Sequence, residues 1–136
     1  MKVRDIMTQN VITVEENYSL GRAAELMRQY NIGILPVVSD GKVLGVITDR
    51  DIVTRAVAKG DDISQLKVSD CMSKSIVFAN PEQQIDAAAK TMAAQQIRRV
   101  PVVDEGKLCG IISLGDISKN GFDTEVSQAL CEISKP

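Results

Sequence analysis

The stretch Gly45–Arg55, GVITDRDIVTR, has a counterpart 65 residues later in Gly110–Asn120, GIISLGDISKN, and this echo decides how the whole chain is read. Shifted by that interval, Val3–Val53 falls on Val68–Ser118 without a gap. Sixteen of the 51 pairs are identical, among them Asp5/Asp70, Met7/Met72, Pro36/Pro101, Gly45/Gly110 and Asp51/Asp116. Many of the others are like for like, such as Thr48/Ser113 and Leu20/Ile85. A repeat of this length constrains the fold before any local propensity does.

Each copy has the same grammar. A short strand, VITV from Val11 or IVFA from Ile76, precedes a helix whose apolar residues fall at Leu20, Ala23, Ala24 and Met27, or at Ile85, Ala88, Ala89 and Met92. This is the i, i+3, i+4, i+7 stripe of a helix with one buried face. ILPVV or RVPVV follows, then a turn, SDGK or DEGK, and a second strand, VLGVIT or LCGIIS. Asp-Gly between two apolar runs is a strong hairpin signal, and the proline in the first strand demotes its position to an edge, a strand start or a bulge. A second helix closes the unit, which reads β-α-β-β-α.

A unit of this size, with few large side chains, buries little alone. The expected fold is therefore α+β, with two repeats packed about a pseudo-two-fold axis in one globular module. Residues 1–60 form the first repeat, 61–67 the linker, 68–120 the second repeat and 121–136 an amphipathic tail. In the tail, Val126, Ala129, Leu130 and Ile133 lie at helical spacing. That stripe packs either on its own domain or on a second chain.

Composition narrows the function. Over 136 residues the net charge is only -2, and aromatic residues make up 3% with no tryptophan, which disfavours nucleic acid and anionic membranes as partners. Three cysteines without a CxxC pair, and no histidine, argue against a disulfide framework or a zinc site and suit a reducing cytoplasm. The N-terminal MKVRDIMTQN lacks an apolar segment, and no run approaches the roughly 18 apolar residues of a spanning helix. No nucleophile-histidine pair, GxxxxGK[ST] loop or GxGxxG turn is present, so no enzyme is expected.

Thr48-x-x-Asp51 and Ser113-x-x-Asp116 admit two readings. One is a capping box, in which hydroxyl and carboxylate satisfy the amides that open a helix. The other is a ligand site. There the same hydroxyl meets a phosphate, and the acceptor-only carboxylate grips the two donor hydroxyls of a ribose.

The doubled β-α-β-β-α unit, DIMT and DCMS at its starts, the PVV strand and the G-h-h-[TS]-x-x-D close resemble the tandem CBS domain, or Bateman module, over residues 1–120. The resemblance implies an adenosine-containing ligand in clefts between paired repeats, AMP, ADP or ATP foremost, with S-adenosylmethionine or NAD as further possibilities. It places Asp51 on a ribose, with Thr48 and Arg50 near phosphate and Met7, Ile12, Ile32, Gly33 and Ile34 around the base. The second pocket takes Asp116 and Ser113, with Met72, Val77, Ile97, Arg98 and Arg99 around it. No metal and no required cofactor are implied. The resemblance also implies a homodimer, and because no effector domain shares the chain, an effector protein acting in trans. The alternative is a ligand-independent scaffold in which the T-x-x-D segments only cap helices.

Overall fold

The computed structural model describes residues 1–136. In chain order its elements are helices α1 (Val3–Ile6) and α2 (Leu20–Tyr30), strands β1 (Ile34–Ser39) and β2 (Lys42–Thr48), and helix α3 (Asp49–Arg55) with a 3-10 turn at Val57–Lys59. Then come helices α4 (Val68–Cys71) and α5 (Ile85–Gln95), strands β3 (Arg99–Asp104) and β4 (Lys107–Ser113), and helices α6 (Leu114–Lys119) and α7 (Asp123–Ile133).

Each hairpin closes as its sequence dictates. Ser39 pairs with Lys42 across a two-residue loop, with Asp40 at φ 52° and Gly41 at φ 79°. The second hairpin repeats this at Glu105 (φ 51°) and Gly106 (φ 82°). Two successive left-handed residues match the twist of the flanking strands, and glycine accepts the second without strain. Val37 faces Gly45 while Val38 faces Val43, so Leu44 is the extra residue of a β-bulge; Cys109 is its counterpart.

The expected strands at Val11 and Ile76 shrink to one bridging residue each, Val14 beside Val37 and Ala79 beside Val102, both parallel. Val14 donates to the Pro36 carbonyl at 3.0 Å and accepts from the Val38 amide at 2.9 Å. The next bond of a parallel ladder would need an amide on residue 36, and proline has none. Pro101 ends the second bridge in the same way.

The chain divides into two compact units, residues 12–76 and residues 1–11 with 77–136, and these do not coincide with the sequence repeats. In the first, Leu20, Ala23 and Met27 of α2 pack with Leu35, Val37, Ile47, Ile52 and Ala56, and the core is completed by Val68, Cys71 and Met72 from the second repeat. Ser73 joins β2, donating to Val46 at 2.8 Å and accepting from it at 3.0 Å. In the second unit, Ile85, Ala88, Ala89 and Met92 of α5 pack with Val100, Val102, Ile112 and Ile117, and Val3 from the first repeat completes the core. Thr8 exchanges two 2.9 Å backbone bonds with Ile111 of β4.

The glycine that opens each motif makes room for this borrowed segment. A Cβ on Gly45 would stand 2.4 Å from the Ser73 carbonyl oxygen, and one on Gly110 would stand 2.6 Å from that of Thr8.

Helix α7 packs on α5 of its own unit, with Val126 and Ala129 buried. Gln96 Nε2 donates to the Glu132 carbonyl at 2.9 Å, and Ser118 Oγ donates to Asp123 Oδ1 at 2.9 Å. No helix is long and apolar enough to cross a membrane.

Candidate ligand sites at the close of each repeat

Strand β2 runs directly into α3, so Thr48 is both the last strand residue and the helix N-cap. Its Oγ1 accepts from the Asp51 amide at 3.0 Å, and Asp51 Oδ2 accepts from the Thr48 amide at 3.0 Å. Ser113 and Asp116 repeat the pair at 3.1 and 2.9 Å. Both boxes are complete, so a cap is formed whether or not a ligand binds. A carboxylate has two oxygens, however, and each cap uses one.

The second oxygens differ. Asp51, whose side chain is 16% exposed, turns Oδ1 toward Arg55 Nε at 3.7 Å. Arg55 also donates through Nη1 to the Cys71 carbonyl at 3.2 Å, tying α3 to α4. In the other unit Asn120 bonds the Asp116 backbone carbonyl at 2.8 Å, which leaves the outer carboxylate oxygen of Asp116 without a protein partner.

In the unit of Asp51, Ile12 and Ile32 pack on the same core as Met72, and Gly33 and Ile34 are partly exposed. Arg50 is exposed, and its amide donates to Asp49 Oδ1 at 2.8 Å. Asp49 fills the space beside Gly33: its Oδ2 lies 2.9 Å from where a Gly33 Cβ would sit. By sequence Asp49 and Arg55 read as plain helix-surface residues, and their contacts with Gly33 and with Asp51 and Cys71 emerge only from the structure.

At Ser113 the second unit is basic. Arg98 and Arg99 line a depression of about 340 Å³ with Ser113, Leu114, Gly115 and Ser118, and Val126 and Leu130 of α7 complete its lining. Asp116 lies outside that lining. Val77 and Ile97 pack on the core beneath.

The sequence groups Met7 with Asp51 and Met72 with Asp116, whereas the compact units hold them the other way round. Met7 lies in the unit of Asp116, packed with Val77 and Ile97, and its sulfur is 2.9 Å from where a Gly110 Cβ would be. Met72 lies in the unit of Asp51, 8% exposed. The reason is the exchange of segments: residues leading into a repeat pair with the closing strand of the other one. The structure contains no cluster of three or more His, Cys, Asp or Glu side chains that could hold a metal ion.

The sequence model of the CBS domain matches residues 3–58 and again residues 68–122. The chain belongs to the CBS domain family. Among CBS proteins, YhcV of Bacillus subtilis is 44% identical over 133 residues, covering 97% of this chain and 94% of that one. Hypoxic response protein 1 of Mycobacterium tuberculosis is 35% identical over 134 residues, 98% of this chain and 94% of its own. A crystal structure of hypoxic response protein I, solved with two coordinated zinc ions, superposes with a TM-score of 0.80 at 36% identity over 88% of this chain and 98% of that one. The CBS domain pair of protein MJ0100, solved with 5′-methylthioadenosine and S-adenosyl-L-methionine, gives a TM-score of 0.78 at 31% identity over 91% and 98% of the two chains. The doubled α+β fold expected from the sequence is thus that of CBS pair proteins.

Proposed function

We propose that this CBS pair is a regulatory module that binds an adenosine-containing ligand and passes its occupancy to an effector protein in trans, working as a homodimer. AMP, ADP and ATP are the favoured ligands, and S-adenosylmethionine and NAD are the other candidates. The observation that carries this reading is the Asp116 carboxylate: one oxygen closes the cap and the other has no protein partner. A ribose diol supplies two donors for such an oxygen, and the guanidinium groups of Arg98 and Arg99, with the Ser113 hydroxyl, suit the phosphate end. Asp51, Thr48 and Arg50 would serve a first site, with Met72, Ile12, Ile32, Gly33 and Ile34 about the base. Met7, Val77 and Ile97 would line the second. The adenosyl ligands of the MJ0100 pair support the ligand class. No catalytic residue and no metal are assigned.

A thermal-shift series with AMP, ADP, ATP, S-adenosylmethionine and NAD tests the proposal. Stabilisation by at least one of them, lost in Asp116→Asn, supports it. No shift with any of the five at millimolar concentration leaves the scaffold reading in its place.

A further inference from the structure

We infer that helix α7, which lies beyond the second CBS repeat, is part of the second ligand site and sets the length of phosphate chain that the site accepts. The inference rests on the nucleotide reading above. Its basis is the make-up of one depression: Arg98, Arg99, Ser113, Leu114, Gly115 and Ser118 come from the repeat, and Val126 and Leu130 come from α7.

The lining carries two positive charges, those of Arg98 and Arg99. The part of the lining that α7 supplies is apolar, with Val126 nearly buried and Leu130 38% exposed. Asp123 accepts a hydrogen bond from Ser118 Oγ of the lining at 2.9 Å, and Glu125 lies in the same first turn of α7. A single phosphate dianion is matched by the two guanidinium groups. A second or third phosphate adds negative charge to a depression whose α7 lining is leucine and valine, which cannot replace its water, and whose neighbouring helix turn carries two carboxylates. The wall therefore favours a short phosphate group over a long one. Helix α7 is held against this site by the burial of Val126 and Ala129 and by the bond from Gln96 to the Glu132 carbonyl. It is a fixed wall.

The test places a charge on that wall at its most exposed position. Leu130→Arg and Leu130→Glu lose the same packing and differ in sign, so comparing them isolates electrostatics. Binding of AMP and of ATP to the full chain and to both variants is measured by calorimetry in magnesium-free buffer, with circular dichroism confirming the fold. Wild type prefers AMP. Leu130→Arg shifts the ATP-to-AMP affinity ratio upward by about two- to five-fold and Leu130→Glu shifts it downward by a similar factor, the range of an exposed charge pair. Nucleotide binding with the same ratio in both variants overturns the inference and leaves the nucleotide site standing. Absence of binding by wild type removes both.

Discussion

Arg55 lies one helical turn beyond Asp51, with its Nε 3.7 Å from the carboxylate oxygen that the capping box leaves over, whereas its counterpart Asn120 turns to the Asp116 backbone instead. Two aspartates at matching positions of the repeat, with the same cap geometry, thus differ in what their outer oxygen can do. Asp51 shares it; Asp116 does not.

Asparagine at these positions separates cap from ligand. It keeps a carbonyl oxygen for the N-cap amide, so Asp116→Asn changes the melting free energy by less than about 1 kcal/mol, while alanine forfeits a capping interaction of about 0.5–2 kcal/mol. Loss of charged hydrogen bonds to a ribose lowers nucleotide affinity on the order of ten- to a hundred-fold in both substitutions. Asp51→Asn has the smaller effect, because its oxygen is already shared with Arg55. Paired calorimetry and urea melts check all three statements, and equal affinity of wild type and Asp116→Asn would contradict the second.

Gly45→Ala and Gly110→Ala each place a methyl group against a backbone oxygen, at 2.4 and 2.6 Å, and neither oxygen belongs to a flexible side chain. Overpacking of this kind costs about 1–3 kcal/mol, with further loss if the Ser73 or Thr8 backbone bonds break. Gly115, with nothing nearer to its would-be Cβ than Ser113 Oγ at 3.5 Å, is the control. Gly115→Ala gains helix propensity and is neutral or stabilising by up to about 1 kcal/mol. Chemical denaturation of the three variants orders them.

The tail is predicted to behave as core at one position and as surface at another. Val126→Ala removes two buried methyl-sized groups and costs about 1.5 kcal/mol, seen as a lower urea midpoint. Leu130→Ala stays within about 0.5 kcal/mol of wild type. Equal effects at the two positions would mean that α7 does not sit on α5 in solution.

The three thiols should react in the order of their exposure. Cys71 is buried, and burial, reinforced by the neighbouring Asp70 carboxylate, raises its pKa above the ordinary thiol value. Cys131 is exposed on α7. Since the thiolate is the reactive form, a maleimide at pH 7 labels Cys131 first and reaches Cys71 only after unfolding. Rapid labelling of Cys71 in the folded chain would contradict its place in the core.

Much of this was legible because it is local. Asp40-Gly41 and Glu105-Gly106 fix their own turns through backbone conformation, Thr48 and Ser113 find their capping aspartates three residues on, and the stripes of α2, α5 and α7 are periodicities within single helices. The misses are contacts across long stretches of chain. Proline was seen at the strand edge, but not that its missing amide would cut the neighbouring strand to one residue. Met7 and Met72 match each other in sequence, yet each lies in the compact unit of the other repeat's aspartate, because pairing of Thr8 with Ile111 leaves no periodic trace in the sequence around Thr8. Asp49 and Arg55 are ordinary helix-surface residues by type, and only their neighbours give them a role.

The borrowed segments also bear on how the chain comes together. Thr8 must find Ile111 and Lys2 must find Gln84 before the unit of residues 1–11 and 77–136 is complete, so that unit waits for nearly the whole chain to be made. Contacts at such separation slow folding. A cut in the linker at residues 61–67 would leave two fragments, each holding a piece of the other's interior. Mixed, they have reason to reassemble; kept apart, neither has a finished core.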